Sequence, residues 1–243
     1  MAQNIYDDDG FFSGYSGLAR SVKGLEGAGE WPSIRAMLPA IAGLRVVDLG
    51  CGFGWFCRWA RQAGAAEVLG LDLSEKMLER ARRDTDDPAV SYGRADLDRL
   101  DLPEGGFGLA YSSLALHYLE SLGPVMASVH RALVPGGWFV FSVEHPIYTA
   151  PSQPGFVDGG DGRKVWPLDG YLKEGARVTN WFAPGVVKYH RTVGTYVSAL
   201  LDAGFRVSAL QEWGPSDAQI AEHPAWAVER ERPPFLLVAA RRD

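Results

Sequence analysis

Three acids stand at the ends of short apolar runs in the first half of the chain: Asp48, Asp72 and Asp96. Three glycines, Gly50, Gly52 and Gly54, follow the first of them at alternate positions. A carboxylate at a strand end can accept from both hydroxyls of a ribose. Glycines there let the backbone adopt positive φ and approach a ligand closely. Asp72 falls about 18 residues after Gly54, the placement of a ribose-binding acid in a nucleotide-binding βαβ unit. It also stands where it could help Ser74 to cap the following helix. The glycine spacing is G-x-G-x-G and not the G-x-G-x-x-G of dinucleotide sites. Asp48, two residues ahead of Gly50, would repel a pyrophosphate and attract an ammonium. The chemistry that suits this set is the binding of a phosphate-free nucleoside carrying a positive charge.

The elements that must hold these residues follow from hydrophobic periodicity. Strands are expected over 45–49, 67–71, 90–95, 107–111, 138–143, 205–213 and 235–240. Helices are expected over 31–41, 55–63, 74–83, 122–133 and 192–203, with a loop and a short helix over 216–229. Their alternation implies an α/β fold, a doubly wound and mostly parallel sheet. Met77 sits one turn into its helix, placed either to touch a base or to pack in the core. Residues 146–188 break the alternation and are rich in Gly, Pro and aromatics. They are too long for a plain connection and read as an inserted cap of turns and short strands over the acceptor. Residues 1–30 carry Tyr6, Phe11, Phe12 and Tyr15, more aromatics than a disordered tail holds, and should pack against the rest of one domain spanning 1–243.

From Val46 to Gly54 the chain resembles the class I S-adenosylmethionine-dependent methyltransferases, whose first motif [V/I]-[V/L]-D-[L/I/V]-G-C-G-x-G it matches throughout. Leu133-Val134-Pro135-Gly136-Gly137 ahead of an apolar strand is a second feature of that family, and the small-molecule, methyltransferase type 11-like branch is the one it resembles. The resemblance implies a Rossmann-like seven-stranded sheet of order 3-2-1-4-5-7-6 with the last strand antiparallel. It implies S-adenosyl-L-methionine as cofactor and S-adenosyl-L-homocysteine as product. It further implies that Asp96 accepts from the adenine amino group, that Leu97 lies near the ring, and that the stretch opening at Ser112 lies beside the departing methyl. Leu73, next to Asp72, joins the cofactor set. In the family, N-terminal segments often cover the cofactor, which brings in Tyr15 and places Arg20 within reach of the cofactor carboxylate; a surface arginine is the plainer reading. The stretch after the fourth strand has no N-P-P-Y-like quartet, which argues against DNA or protein amines as acceptors.

Composition sets outer limits. The 243 residues are 47% hydrophobic, enough for a substantial core, and the formal net charge is −6. That charge offers nothing to nucleic acid or to an anionic membrane. Cys51 and Cys57 form no disulfide framework or zinc spacing, and no metal site is evident. No signal peptide or membrane-length apolar run is seen. A cytoplasmic protein, monomer or homodimer, is the expectation.

Three histidines complete the candidate site: His145 at the base of the insert, His190 at its far end and His117 after the fourth strand. An oxygen or nitrogen acceptor often needs a proton removed, and imidazole titrates near neutrality. His145 is the first candidate base, with His117 and His190 as rivals; each could instead simply cap a strand end or loop. The chain reads as a methyltransferase acting on a small molecule, the alternative being a non-catalytic sensor of the same cofactor.

Overall fold

In the computed structural model, which describes residues 3–160 and 162–243, three short helices precede the first strand: α1 (Asp9–Ser16), α2 (Ala19–Val22) and α3 (Trp31–Ala36). The third stops well short of residue 41. Pro39 disfavours the helical conformation at Leu38 before it, so the helix cannot run on. Phe11 and Trp31 are buried, so this N-terminal region packs as its aromatics predict.

The alternating core follows as β1 (Arg45–Leu49), α4 (Trp55–Gln62), β2 (Glu67–Asp72), α5 (Glu75–Arg83), β3 (Val90–Arg94), β4 (Phe107–Ser113), α6 (Leu122–Ala132) and β5 (Leu133–Glu144). A one-turn helix α7 (Pro146–Thr149), the hairpin β6 (Val157–Asp158) and β7 (Lys164–Val165), and the longer hairpin β8 (Gly175–Trp181) and β9 (Ala183–His190) come next. The chain returns through α8 (Val193–Asp202), β10 (Phe205–Trp213), α9 (Asp217–Glu222) and β11 (Phe235–Arg242).

Seven strands form one sheet in the order β10-β11-β5-β4-β1-β2-β3. Counting sheet strands alone, this is 3-2-1-4-5-7-6, and the last strand runs antiparallel to both of its neighbours. The central strands are buried on both faces, as a sheet covered by helices on each side requires. On one face Val47, Leu49, Ala110, Phe139 and Phe141 pack with residues of α6 and α8. On the other, Val46, Leu109, Tyr111 and Val140 pack against α3 and α4, where the Phe56 and Tyr111 rings stack at 3.6 Å between centroids. Strand β5 begins at Leu133, earlier than expected. It takes in the Pro-Gly-Gly turn, where Gly136 has φ +79°.

Candidate active site

Strand β1 ends at the glycine turn, and the three glycines are there for different reasons. All three have positive φ. A Cβ at Gly50 would strike Ala115, and one at Gly54 would strike the Tyr92 hydroxyl. A Cβ at Gly52 would meet nothing within 4 Å, yet Gly52 lines a cavity of about 1100 Å³. Gly52 therefore leaves its backbone bare towards open space, while Gly50 and Gly54 make room for neighbouring protein.

Two acids face this cavity beside the turn. Asp48 is buried in β1, where its Oδ2 accepts from the Cys57 thiol at 3.3 Å. Burial without a cationic partner among the described residues pushes its pKa up to about 7, and the nearby Asp72 adds to the rise. Asp72, at the end of β2, accepts from the backbone N–H of Gly52 (2.8 Å) with one oxygen and from that of Ser74 (2.9 Å) with the other. It thus ties the turn to the start of α5 and also faces the cavity; the ribose and capping readings place the same side chain at the same spot. Its pKa is raised, chiefly by burial. Leu73, Met77 and Leu97 line the same end of the cavity.

Three expected cofactor residues are placed differently. Gly54 supports the turn by packing under Tyr92 and does not line the cavity. Asp96 caps a short turn, accepting from the Asp98 N–H at 3.1 Å, and is likewise off the lining. Ser112 is fully buried and donates to the Leu49 carbonyl at 2.8 Å, bridging β4 and β1 behind the site. The N-terminal residues are brought in: Tyr15 and Arg20 line the cavity. Arg20 is held by both carboxylate oxygens of the buried Glu30 at 3.0 and 3.2 Å.

The N-terminal segment is fastened over the start of α5. Asp7 accepts from the Ser74 hydroxyl (2.5 Å) and the Lys76 backbone N–H (3.3 Å), and the Lys76 ammonium donates to the Asp7 carbonyl at 2.7 Å. These bonds hold the Asp7 carboxyl below its usual range despite some burial. The Tyr6 hydroxyl meets that of Tyr118 at 3.2 Å.

Beyond the glycine turn the cavity runs under the segment that follows β5. Glu144 and the buried Lys188, from β5 and β9, form an ion pair in its wall. Trp181 lies beneath the Lys188 ammonium at 4.8 Å. Tyr148 and Trp166 stack at 5.4 Å further out.

The structure separates the three histidines. His145 does not line the cavity. Its Nδ1 accepts from the Ile147 N–H at 3.0 Å, capping α7, which leaves the ring proton on Nε2 for the 2.9 Å contact with Glu212. His190 is also off the lining, with Nε2 donating to the Tyr171 carbonyl and Nδ1 meeting the Thr149 hydroxyl at 2.8 Å. Both rings have both nitrogens engaged within the protein, so neither is placed to take a proton from a ligand. Only His117 of the three lines the cavity. Burial lowers its pKa to about 4, and its Nδ1 takes a long bond, 3.4 Å, from the Glu144 N–H. A group with so low a pKa is a poor match for proton abstraction at neutral pH.

Comparison with known proteins identifies the chain. The Methyltransferase domain family matches residues 47–141. The crystal structure of an S-adenosylmethionine-dependent methyltransferase from Mesorhizobium loti superposes with a TM-score of 0.88 at 60% sequence identity, covering 90% of this chain and all of that one. The chain belongs to the class I S-adenosylmethionine-dependent methyltransferases. It is also 34% identical to an uncharacterised protein of Haemophilus influenzae over 98% of this chain and 97% of that one. A malonyl-[acyl-carrier protein] O-methyltransferase of Pectobacterium atrosepticum is 39% identical over 107 residues, 44% of this chain and 41% of that one.

Several residues of the methyltransferase's cavity escaped the sequence reading. Lys188 lies in a stretch with no motif. Arg232 follows a short 3-10 helix (Pro224–Arg230) and precedes two prolines, with nothing in its neighbours to mark it. Glu144 had a signal, an acid closing the fifth strand, but position alone could not say which of Glu144 and His145 turns inward. The strand's period-two alternation can point only one of two neighbours to a given face.

Proposed function

We propose that this methyltransferase acts on a small molecule, bound beside the cofactor in one continuous cavity. The observation that carries this reading is the cavity's extent, from Gly52 and Asp72 to Trp166 and Lys188. Its volume of about 1100 Å³ lies just above the roughly 300–1,000 Å³ range of ligand pockets, room for a cofactor and a modest acceptor together. The formal charge of −6 supports the same choice over a nucleic acid.

The residues at the glycine turn fit S-adenosylmethionine. A buried carboxylate without a cation, Asp48, suits the α-ammonium. Asp72 retains lone pairs for the ribose hydroxyls after accepting its two backbone bonds. Gly52 leaves space for close approach, Leu73, Met77 and Leu97 offer apolar contact to the adenine, and Arg20, fixed by Glu30, can face the carboxylate. When bound, the cofactor supplies a methyl carbon on a sulfonium, already an activated electrophile. The protein's task is then to align and to exclude water. Tyr6, Tyr15 and the Asp7 clasp make the N-terminal segment a lid over the cofactor end, and residues 146–188 serve as the cap on the acceptor end. His117, neutral at working pH, orients the acceptor and does not serve as its base.

Mass spectrometry of copurified ligand, followed by a metabolite screen for S-adenosylhomocysteine release, tests this reading. Turnover of a small metabolite is the expected result. Release only in the presence of a protein or nucleic-acid substrate would overturn it.

A further inference from the structure

The acceptor end of the cavity holds an arginine that the alignment chemistry leaves unused. Arg232 sits just before β11, 95% buried, and lines the cavity. Three rings confine its guanidinium: Tyr148 at 4.4 Å, Trp166 at 4.5 Å and Phe156 at 5.2 Å from its central carbon. Two of those rings come from the insert's helix α7 and its β7 border, so the cage is assembled by the cap itself.

Its polar edge is only partly satisfied. Glu229 Oε2 lies 2.7 Å from Nη1, an ionic contact. Among the described residues Nη1 has no hydrogen-bond partner beyond that contact, and the buried Nε has none. Buried donors without acceptors are rare and costly in folded proteins, and a charged donor is the costliest kind. Glu229 is one-third exposed, and its carboxylate already shows what the guanidinium takes. The neighbouring wall adds Arg177, and Lys188 with its charge matched by Glu144. The cofactor end presents Asp48 and Asp72 beside the Arg20–Glu30 pair, so the excess of positive charge lies at the acceptor end.

We propose that Arg232 anchors a carboxylate or phosphate group on the methyl acceptor, so that the enzyme's substrates are acidic small molecules, most readily ones with a flat apolar body. This rests on the small-molecule reading above. A planar guanidinium in a fixed orientation grips such an anion with two parallel bonds. The surrounding rings hold the guanidinium in that orientation before the ligand arrives and offer their faces to the ligand's apolar part. A neutral carbonyl in the same place would leave the charge to Glu229 alone.

The test uses the full-length protein saturated with S-adenosylhomocysteine. Benzoate, phenyl phosphate and the neutral isostere benzamide are titrated by calorimetry against wild type, Arg232→Gln and Arg232→Lys. At least one of the two anions should bind wild type, with benzamide at least about tenfold weaker, the worth of one charge-assisted bond. Which anion binds tells carboxylate from phosphate. Arg232→Gln should lose about tenfold or more for that anion, with Arg232→Lys between them, while S-adenosylhomocysteine affinity stays unchanged as the check on folding. If Arg232→Gln fails that check, the Lys variant and the benzoate–benzamide comparison on wild type decide. Equal binding of benzamide and the anions, or anion affinity indifferent to Arg232, overturns the proposal. In the metabolite screen, turnover of neutral compounds alone would sink the acidic acceptor and spare the small-molecule reading. Anion binding at Arg232 with no small molecule methylated would do the reverse.

Discussion

The Cys57 thiol donates to Asp48 Oδ2 across 3.3 Å, inside the wall between α4 and β1. A thiol is a weak donor, so it offsets little of what burial does to this carboxylate, whose pKa rises to about 7. The folded, cofactor-free protein therefore binds a proton at Asp48 that the unfolded chain releases near pH 4. Its stability benefits from that group below pH 4 and loses the benefit as pH rises through 7. A ligand cation beside Asp48 reverses the penalty, which couples cofactor binding to stability.

Asp48→Asn should accordingly raise the melting temperature of the ligand-free protein at pH 8, with only about a third of the gain in stability at pH 5, where the unfolded acid is already ionised. A shift from 3.8 to about 7 corresponds to at most about 4 kcal/mol at 1.36 kcal/mol per unit. The same variant should bind S-adenosylhomocysteine weakly. Scanning calorimetry at the two pH values decides; a variant less stable than wild type at pH 8 contradicts the account.

Wild-type affinity for S-adenosylhomocysteine should itself weaken below pH 7, by up to about tenfold per unit, because Asp48 must first lose its proton. Titrations in two buffers of different ionisation enthalpy should reveal proton release near neutrality. Affinity independent of pH between 5 and 7 would remove Asp48 from the ammonium site.

Asp72 serves both ligand and turn. Asp72→Ala should cost about 100-fold or more in affinity, from two charge-assisted bonds of roughly 1.5–3 kcal/mol each. It should also lower the melting temperature, since the Gly52 and Ser74 N–H groups lose their acceptor. Asp72→Asn keeps an acceptor for one of them and should recover part of the stability with less of the affinity. Equal recovery of both would mean that the acid acts through the turn alone.

His117 should matter more to acid stability than to turnover. Its folded pKa of about 4 lies below the ordinary 6.5, so its contribution is intact above pH 6.5 and is lost as pH falls towards 4. His117→Gln should flatten stability over that window. With an acceptor in hand, turnover should drop by less than about tenfold, beneath the 10²–10⁴ typical of acid–base catalysis. A larger loss with unchanged cofactor affinity would restore the ring as a base.

Asp7→Ala should loosen the N-terminal clasp, raising the dissociation rate of S-adenosylhomocysteine severalfold with little change in association. Stopped-flow fluorescence reads both rates. Identical dissociation in variant and wild type would mean that the segment does not gate release.

The first half of the fold was legible because its signals are local. An apolar run, a glycine turn and an amphipathic helix each declare themselves within about ten residues, and the strand order followed from the family the motif resembles. Asp48, Gly52 and Asp72 could be named for the same reason. His145 and His190 could not be placed, because their partners Glu212, Thr149 and Tyr171 are far along the chain. Arg232 and Lys188 are further cases, since a cage assembled from residues 148, 156 and 166 leaves no pattern around residue 232.

The Glu144–Lys188 pair joins two positions 44 residues apart, so the intervening chain leaves and re-enters at one place. For such an excursion the entropic cost grows only with the logarithm of its length, roughly 0.6 kcal/mol for each doubling. Lengthening, shortening or exchanging it leaves the register of β5 against β4 and β11 untouched. The stretch can therefore change in length at small loop-closure cost while the cofactor half stays as it is.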